Sequence, residues 1–141
     1  MSVFWEALLL VSEPQTLGAI LIASCLGITL GAIPGLTAVM GVALLIPITF
    51  FMDPVPAIAS IASLAAMAIF AGDIPGTLLR IPGTPASAAY VEDSYAMTKI
   101  GKPERALGLS MVSACGGGVM GVIALMVAAP LLAKFATNFS S

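Results

Sequence analysis

Histidine is absent from the 141 residues, cysteine occurs only twice, and charged side chains make up 9% of the chain. Each shortage excludes a class of function. With no histidine, and with Cys25 and Cys115 far apart in apolar runs, a Cys/His metal centre is ruled out and a structural disulfide is disfavoured. Both thiols read as small buried filler. The basic residues Arg80, Lys99, Lys102, Arg105 and Lys134 stand against seven acidic ones, for a net charge of -2, so no basic stripe is available for nucleic acid. An intramembrane enzyme also lacks its signatures. Asp73 follows Phe70-Ala71-Gly72 rather than Gly-x-Gly, the serine type would need a histidine, and no Gly-x-Ser-x-Gly occurs. The N-terminus MSVFWEALLLVSEP carries Glu6 and Glu13 where a secretory signal carries positive charge.

What is present is apolar: 60% of residues are hydrophobic and the mean hydropathy is +1.12. Soluble domains carry about 25% charged residues, so this composition belongs in a membrane. Residues 1–13, with Trp5 as anchor, read as an interfacial helix. No charge occurs between Glu13 and Asp53. As one helix, Leu17 to Met52 would be about 54 Å long, more than a bilayer core of about 30 Å, so it must break. Ile33-Pro34-Gly35 is the place, giving spans over 17–32 and 37–52, with Pro47 kinking the second. Asp53-Pro54 closes the run, and an alanine-rich span over 56–72 follows, whose small side chains suit packing against protein rather than lipid. Residues 106–129 form the last span. Its Gly116-Gly117-Gly118 calls for close packing by another backbone, or a bend. Residues 92–105 read as a loop holding half of the charges, including Lys99, Lys102 and Arg105, which places it in the cytoplasm, and 134–141 read as a tail.

The segment DIPGTLLRIPGTPASAAYV, Asp73 to Val91, fits none of these spans. Thr84-Pro85 signals a helix start, threonine as N-cap and proline at the first helical position. Residues 74–91 therefore read as a broken or re-entrant helix with Thr84 near the midplane. A helix N-terminus offers unpaired N–H groups and partial positive charge, and Arg80 adds a full one. An intramembrane arginine points to function; a structural pairing with Asp73 is the alternative. Ile-Pro-Gly recurs at 33–35, 74–76 and 81–83, with Thr37, Thr77 and Thr84 close behind. Interrupted helices meeting near the midplane are how secondary transporters bind anionic substrates.

The runs GAIPGLTAVMGVALLIPITFFMDP and IPGTPASAAYVEDSYAMTKIGKPERALG, within Leu17 to Leu125, resemble the TctA family, the large membrane subunit of tripartite tricarboxylate transporters. Pro82 to Ala88 is the most specific piece. The resemblance implies an all-α integral membrane protein of about four spans plus the broken helix, one half of a repeat-type secondary transporter. It also implies a multi-pass protein of the bacterial inner membrane that imports carboxylates on a Na+ or H+ gradient and is not an enzyme. The implied partners are a periplasmic solute-binding protein, a small membrane subunit, and a companion second half or another copy of this chain. Carried over, Gly35, Thr37, Pro82, Gly83, Thr84 and Ser87 lie at substrate, Arg80 joins them, and Asp73 is an ion or salt-bridge partner. Two residues depart from the family pattern: Arg80 replaces a frequent asparagine, and Asp73 a small residue. Family members are also several times longer and carry a second Pro-Gly motif. A membrane scaffold without transport explains the small-residue helices equally well, but not the arginine at the break.

Overall fold

The computed structural model describes residues 2–137, and among them there are helices and turns but no strand. The chain is an all-α membrane protein. It forms two units, Met1–Leu107 and Gly108–Ser141. The first holds α1 (Ser2–Val11), α2 (Pro14–Gly31), α3 (Ala38–Thr49), α4 (Pro54–Ala71), α5 (Asp73–Leu79) and α6 (Val91–Lys99). Helix α7 (Pro103–Thr137) begins there and makes up the described part of the second.

Helices α2 and α4 begin alike. Glu13 and Asp53 are extended N-caps followed by Pro14 and Pro54, whose fixed φ and missing N–H suit a first helical position. Each runs for 18 residues, about 27 Å, close to the thickness of a bilayer core. They pack backbone to backbone. A Cβ added at Gly27 would lie 2.5 Å from the Leu64 carbonyl oxygen, and one at Gly31 would lie 2.8 Å from Ala68 Cα. Both contacts advance by four residues together, so the two helices run parallel. Ala23, one turn before Gly27, is buried in the core with Leu45 and Leu64.

Helix α3 returns between them. Gly41 faces Leu30 and Leu64, while Leu45 reaches Ala23, so α3 runs antiparallel to α2. Helix α4 touches α1, α2, α3 and α5, which is what its small residues permit. Hydroxyls on these helices bond their own backbone: Thr29 donates to the Leu26 carbonyl, Ser60 to that of Ala57 and Ser63 to that of Ala59. An apolar surrounding demands that closure.

Among the described residues, three helical stretches are long and apolar enough to cross a membrane: Pro14–Gly31, Pro54–Leu79 and Pro103–Ala129. Several expectations change. The stretch 37–52 yields only the 12-residue α3, about 18 Å, because turns at Phe50 to Met52 follow Pro47. Residues 92–105 are not all loop, since α6 occupies Val91–Lys99, with Glu92 and Asp93 in its first turn and Lys99 in its last, the charge order that a helix dipole favours. Helix α7 is unbroken through Gly116-Gly117-Gly118. Cys25 and Cys115 are exposed, not buried filler; both sit on helix faces that are apolar and suited to lipid. Of the tail expected over 134–141, residues 134–137 continue α7 and the remainder lies outside the described residues.

The α2–α4 contact makes a direct prediction. Gly31→Ala places its methyl against the Ala68 backbone, which has no rotamer to yield, and should cost about 1–3 kcal/mol. Gly18→Ala meets open space and should be neutral or stabilising by up to about 1 kcal/mol. Thermal unfolding of the two variants in detergent checks the contrast; equal melting temperatures would refute the packing.

Candidate functional site

The segment from Ala71 to Glu92 is built on an irregularity in the helix that starts at Pro54. Gly72 separates α4 from α5, and Pro75 has no N–H to offer the Ala71 carbonyl one turn back. Ala71, Gly72, Asp73, Pro75, Gly76 and Thr77 are all buried. The loop after α5 folds back on the same place: a Cβ added at Gly83 would sit 2.5 Å from the Gly72 carbonyl oxygen and 2.7 Å from Gly72 Cα. Only glycine fits both sides of that crossing.

Helix α5 ends at Arg80, whose φ of 61° and ψ of 28° put it in the left-handed region. Among the described residues it is the only non-glycine with positive φ. A long side chain rarely adopts this conformation, and an observed outlier of this kind is a reason to look for function. The turn is held by the Arg80 N–H donating to the Gly76 carbonyl and the Ile81 N–H to that of Pro75. It throws the guanidinium toward α6. Nε and Nη2 of Arg80 both donate to Glu92 Oε1, at 2.9 and 2.8 Å.

The ion pair of Arg80 is thus with Glu92, and not the one with Asp73 that stood as the alternative. The Asp73 carboxylate, 5% exposed, instead accepts from the Tyr90 hydroxyl at 2.7 Å. Asp73 and Arg80 lie on the same helix, but the left-handed turn at its end carries the arginine away.

Thr84 and Ser87 cap each other. The Ser87 N–H donates to Thr84 Oγ1 at 3.1 Å, and the Thr84 N–H donates to Ser87 Oγ at 3.0 Å, the reciprocal arrangement of a capping box. Ser87 Oγ also donates to the Thr84 carbonyl at 2.9 Å. Thr84 thus caps as its Thr-Pro sequence suggests, but what it caps is a single 3-10 turn, Ser87–Ala89, and not an eight-residue helix to Val91. The continuation is α6, entered through Tyr90. Ser87 is 1% exposed and its hydroxyl is committed to Thr84 at both ends. Pro82 is exposed, and Gly83 and Thr84 are half-buried.

The first Pro-Gly motif is separate. Gly35, at φ 99°, turns the chain as only glycine does easily, and Thr37 is the N-cap of α3, its hydroxyl accepting from the Met40 N–H at 3.3 Å. Helix α3 packs against neither α5, the 3-10 turn nor α6. Beside the motif lies an apolar hollow of about 320 Å³ lined by Leu30, Leu36, Met40, Gly41, Ala43 and Leu44, which offers a carboxylate nothing. Tyr90 and Glu92, which hold Asp73 and Arg80, escaped the sequence reading; their signal was the clustering of YVED at the start of α6.

Ser87→Ala removes the Thr84 amide's acceptor in a nearly closed site and should cost about 1–3 kcal/mol. A melting temperature unchanged from the parent would show that the mutual cap does not hold the loop.

Comparison with known proteins follows this geometry. The family model described as "Tripartite tricarboxylate transporter TctA family" matches residues 17–141. A protein of Agrobacterium vitis, described as "Uncharacterized 52.8 kDa protein in TAR-I ttuC' 3'region", is 30% identical over 116 residues. The match covers 82% of this chain and 23% of that relative, so the chain spans about a quarter of the relative's length. No solved structure matches. The family match takes in the α2–α4 pair and the whole Asp73–Glu92 segment, and the chain belongs to the tripartite tricarboxylate transporter TctA family.

Proposed function

We propose that this chain is a membrane component of an ion-coupled secondary transporter that imports di- or tricarboxylates across the bacterial inner membrane. It works with a periplasmic solute-binding protein, a small membrane subunit, and a companion half or second copy that completes the site. The observation that supports this most is the state of Arg80. It is held in a left-handed turn beside a buried helix break, and its fork already carries a carboxylate, that of Glu92.

Exposed ion pairs are weak, so a substrate carboxylate can take the place of Glu92 on the fork. Arginine presents planar paired donors that match a carboxylate, which lysine does not. Thr84 contributes its hydroxyl hydrogen, while Gly83 and Ser87 shape the loop. Pro82 removes an N–H and stiffens the approach. Gly35 and Thr37 belong to the corresponding turn at the end of α2, and a companion half would supply the facing surface. A scaffold without transport would leave the exchangeable carboxylate on a left-handed arginine unexplained.

Uptake of a tricarboxylate into proteoliposomes, with companion half and binding protein present, tests the role of Arg80. Arg80→Gly suits the backbone, since φ 61° favours glycine, so folded yield should hold while uptake falls at least ~10-fold. Arg80→Lys should fall similarly. Glu92→Gln should lower KM by loosening the competing carboxylate. Parent-level uptake in Arg80→Gly would overturn the proposal.

The orientation is tested separately. Lys99, Lys102 and Arg105 cluster around the α6–α7 turn, which supports a cytoplasmic position for it. A cysteine at position 102, in a background without Cys25 and Cys115, should not react with an impermeant maleimide added to intact cells. Labelling from outside would reverse the topology.

A further inference from the structure

Carboxylate binding at Arg80 leaves a second cation beside the same helix without a task. Glu92, Tyr95 and Lys99 follow one another on α6 at three and four residues, and so share one face of it. Arg80 reaches that face through Glu92 Oε1 at 2.8 Å, and Tyr95 lies close enough to act on the guanidinium charge. Lys99 is exposed, and its ammonium lies 5.0 Å from the centroid of the half-buried Tyr95 ring. Among the described residues no carboxylate pairs with Lys99. Two cations therefore flank one aromatic ring, and only Arg80 holds an anion. Another side of α6 is anchored on α5. Val91 is buried there, and the Thr98 hydroxyl donates to the Thr77 carbonyl at 2.7 Å, which holds the Glu92–Lys99 face toward Arg80.

We infer that Lys99 receives the second carboxylate of a di- or tricarboxylate whose first carboxylate lies on Arg80, and so sets the preference for substrates with more than one carboxylate. The inference rests on the carboxylate reading of Arg80 and adds to it a residue that selects among carboxylates. The spacing fits. A helical side chain leans toward the helix N-terminus, and the ammonium accordingly lies over Tyr95, one turn before its own Cα. That brings it to about 5 Å from the level of Glu92 along the helix axis. Carboxylates joined by two or three carbons stand about 4–5 Å apart. The chemistry fits as well. Lysine is a compact point charge on a flexible stem with three donors, so it can follow the second carboxylate of substrates that differ in length. The cation–π contact with Tyr95 keeps the ammonium beside the site without neutralising it. A cation in the last turn already suits the helix dipole. The dipole does not call for a second cation, Arg80, beside the same ring.

Thermal unfolding of the chain assembled with its companion half, in detergent at constant ionic strength, tests this. The probes are succinate and butyrate, which match in carbon number and differ by one carboxylate. Succinate should raise the melting temperature of the parent at a lower half-saturating concentration than butyrate. Lys99→Gln should raise the succinate value at least ~10-fold and leave the butyrate value within about twofold, and Lys99→Arg should keep the parent preference. Tyr95→Leu frees the ammonium from its platform. It should weaken succinate in the same sense and by less, and it carries the test if Lys99→Gln does not fold. An unchanged succinate value in folded Lys99→Gln overturns the inference. An equal weakening of succinate and butyrate overturns it too, because Lys99 would then act on the fold alone. Arg80→Gly separates the two readings. A succinate response kept in Arg80→Gly sinks the carboxylate reading, whereas one lost in Arg80→Gly and unchanged in Lys99→Gln sinks only the role of Lys99. A parent that responds to neither acid overturns both.

Discussion

The close approach of α2 to α4 is the constraint on which the rest of the first unit depends. In lipid, burying leucine gains little, because the surroundings are as apolar as the interface. What can hold two helices together is contact between backbones, and that needs the side chains removed from the seam. Gly27 and Gly31 remove them on one side, while Ala68 and the Leu64 carbonyl present the other. Through Leu45, Leu64 and Ala23 the same seam fixes α3. It also sets the end of α4 at Gly72, the surface on which the loop after α5 closes.

That closure repeats the device on a smaller scale. Gly72 against Gly83 is again backbone on backbone, and the mutual cap of Thr84 and Ser87 stiffens the loop just beyond it. The Ser87 hydroxyl and the amides of Thr84 and Ser87 are satisfied within the loop itself, as an apolar surrounding requires. Arg80 is the exception: its backbone conformation is uncommon, its side chain is exposed, and its partner Glu92 is exposed as well.

Much of this was legible in the sequence, and the failures have physical reasons. The membrane class followed from charge content, and the interruption at Ile81-Pro82-Gly83 from its proline and glycine. Thr84 as a cap followed from Thr-Pro, but only a single 3-10 turn lies behind it, and Tyr90, bonded to Asp73, stands between that turn and α6. The Ala23, Gly27 and Gly31 ladder on α2 was readable at four-residue spacing, but the alanines of α4 and Gly116-Gly117-Gly118 are the more conspicuous small-residue signals in the sequence. The alternative pairing of Arg80 with Asp73 did not form, because spacing along one helix cannot register a left-handed turn at its end. Glu92, twelve residues on, becomes a neighbour only once that turn reverses the chain.

The two charged sites of this segment share one short stretch of backbone. Tyr90 holds the Asp73 carboxylate and Glu92 holds the Arg80 guanidinium, with only Val91 between them. Val91 is itself buried, its methyl 3.5 Å from where a Cβ on Gly76 would lie, so the entry to α6 is wedged against α5 between the two bonds. A displacement of α6 that frees Arg80 from Glu92 therefore also strains the hydrogen bond to Asp73. Ligands shift such a pair only through their different affinities for its two arrangements. On the proposed carboxylate reading, an anion that displaces Glu92 from Arg80 would therefore also act on the geometry around Asp73.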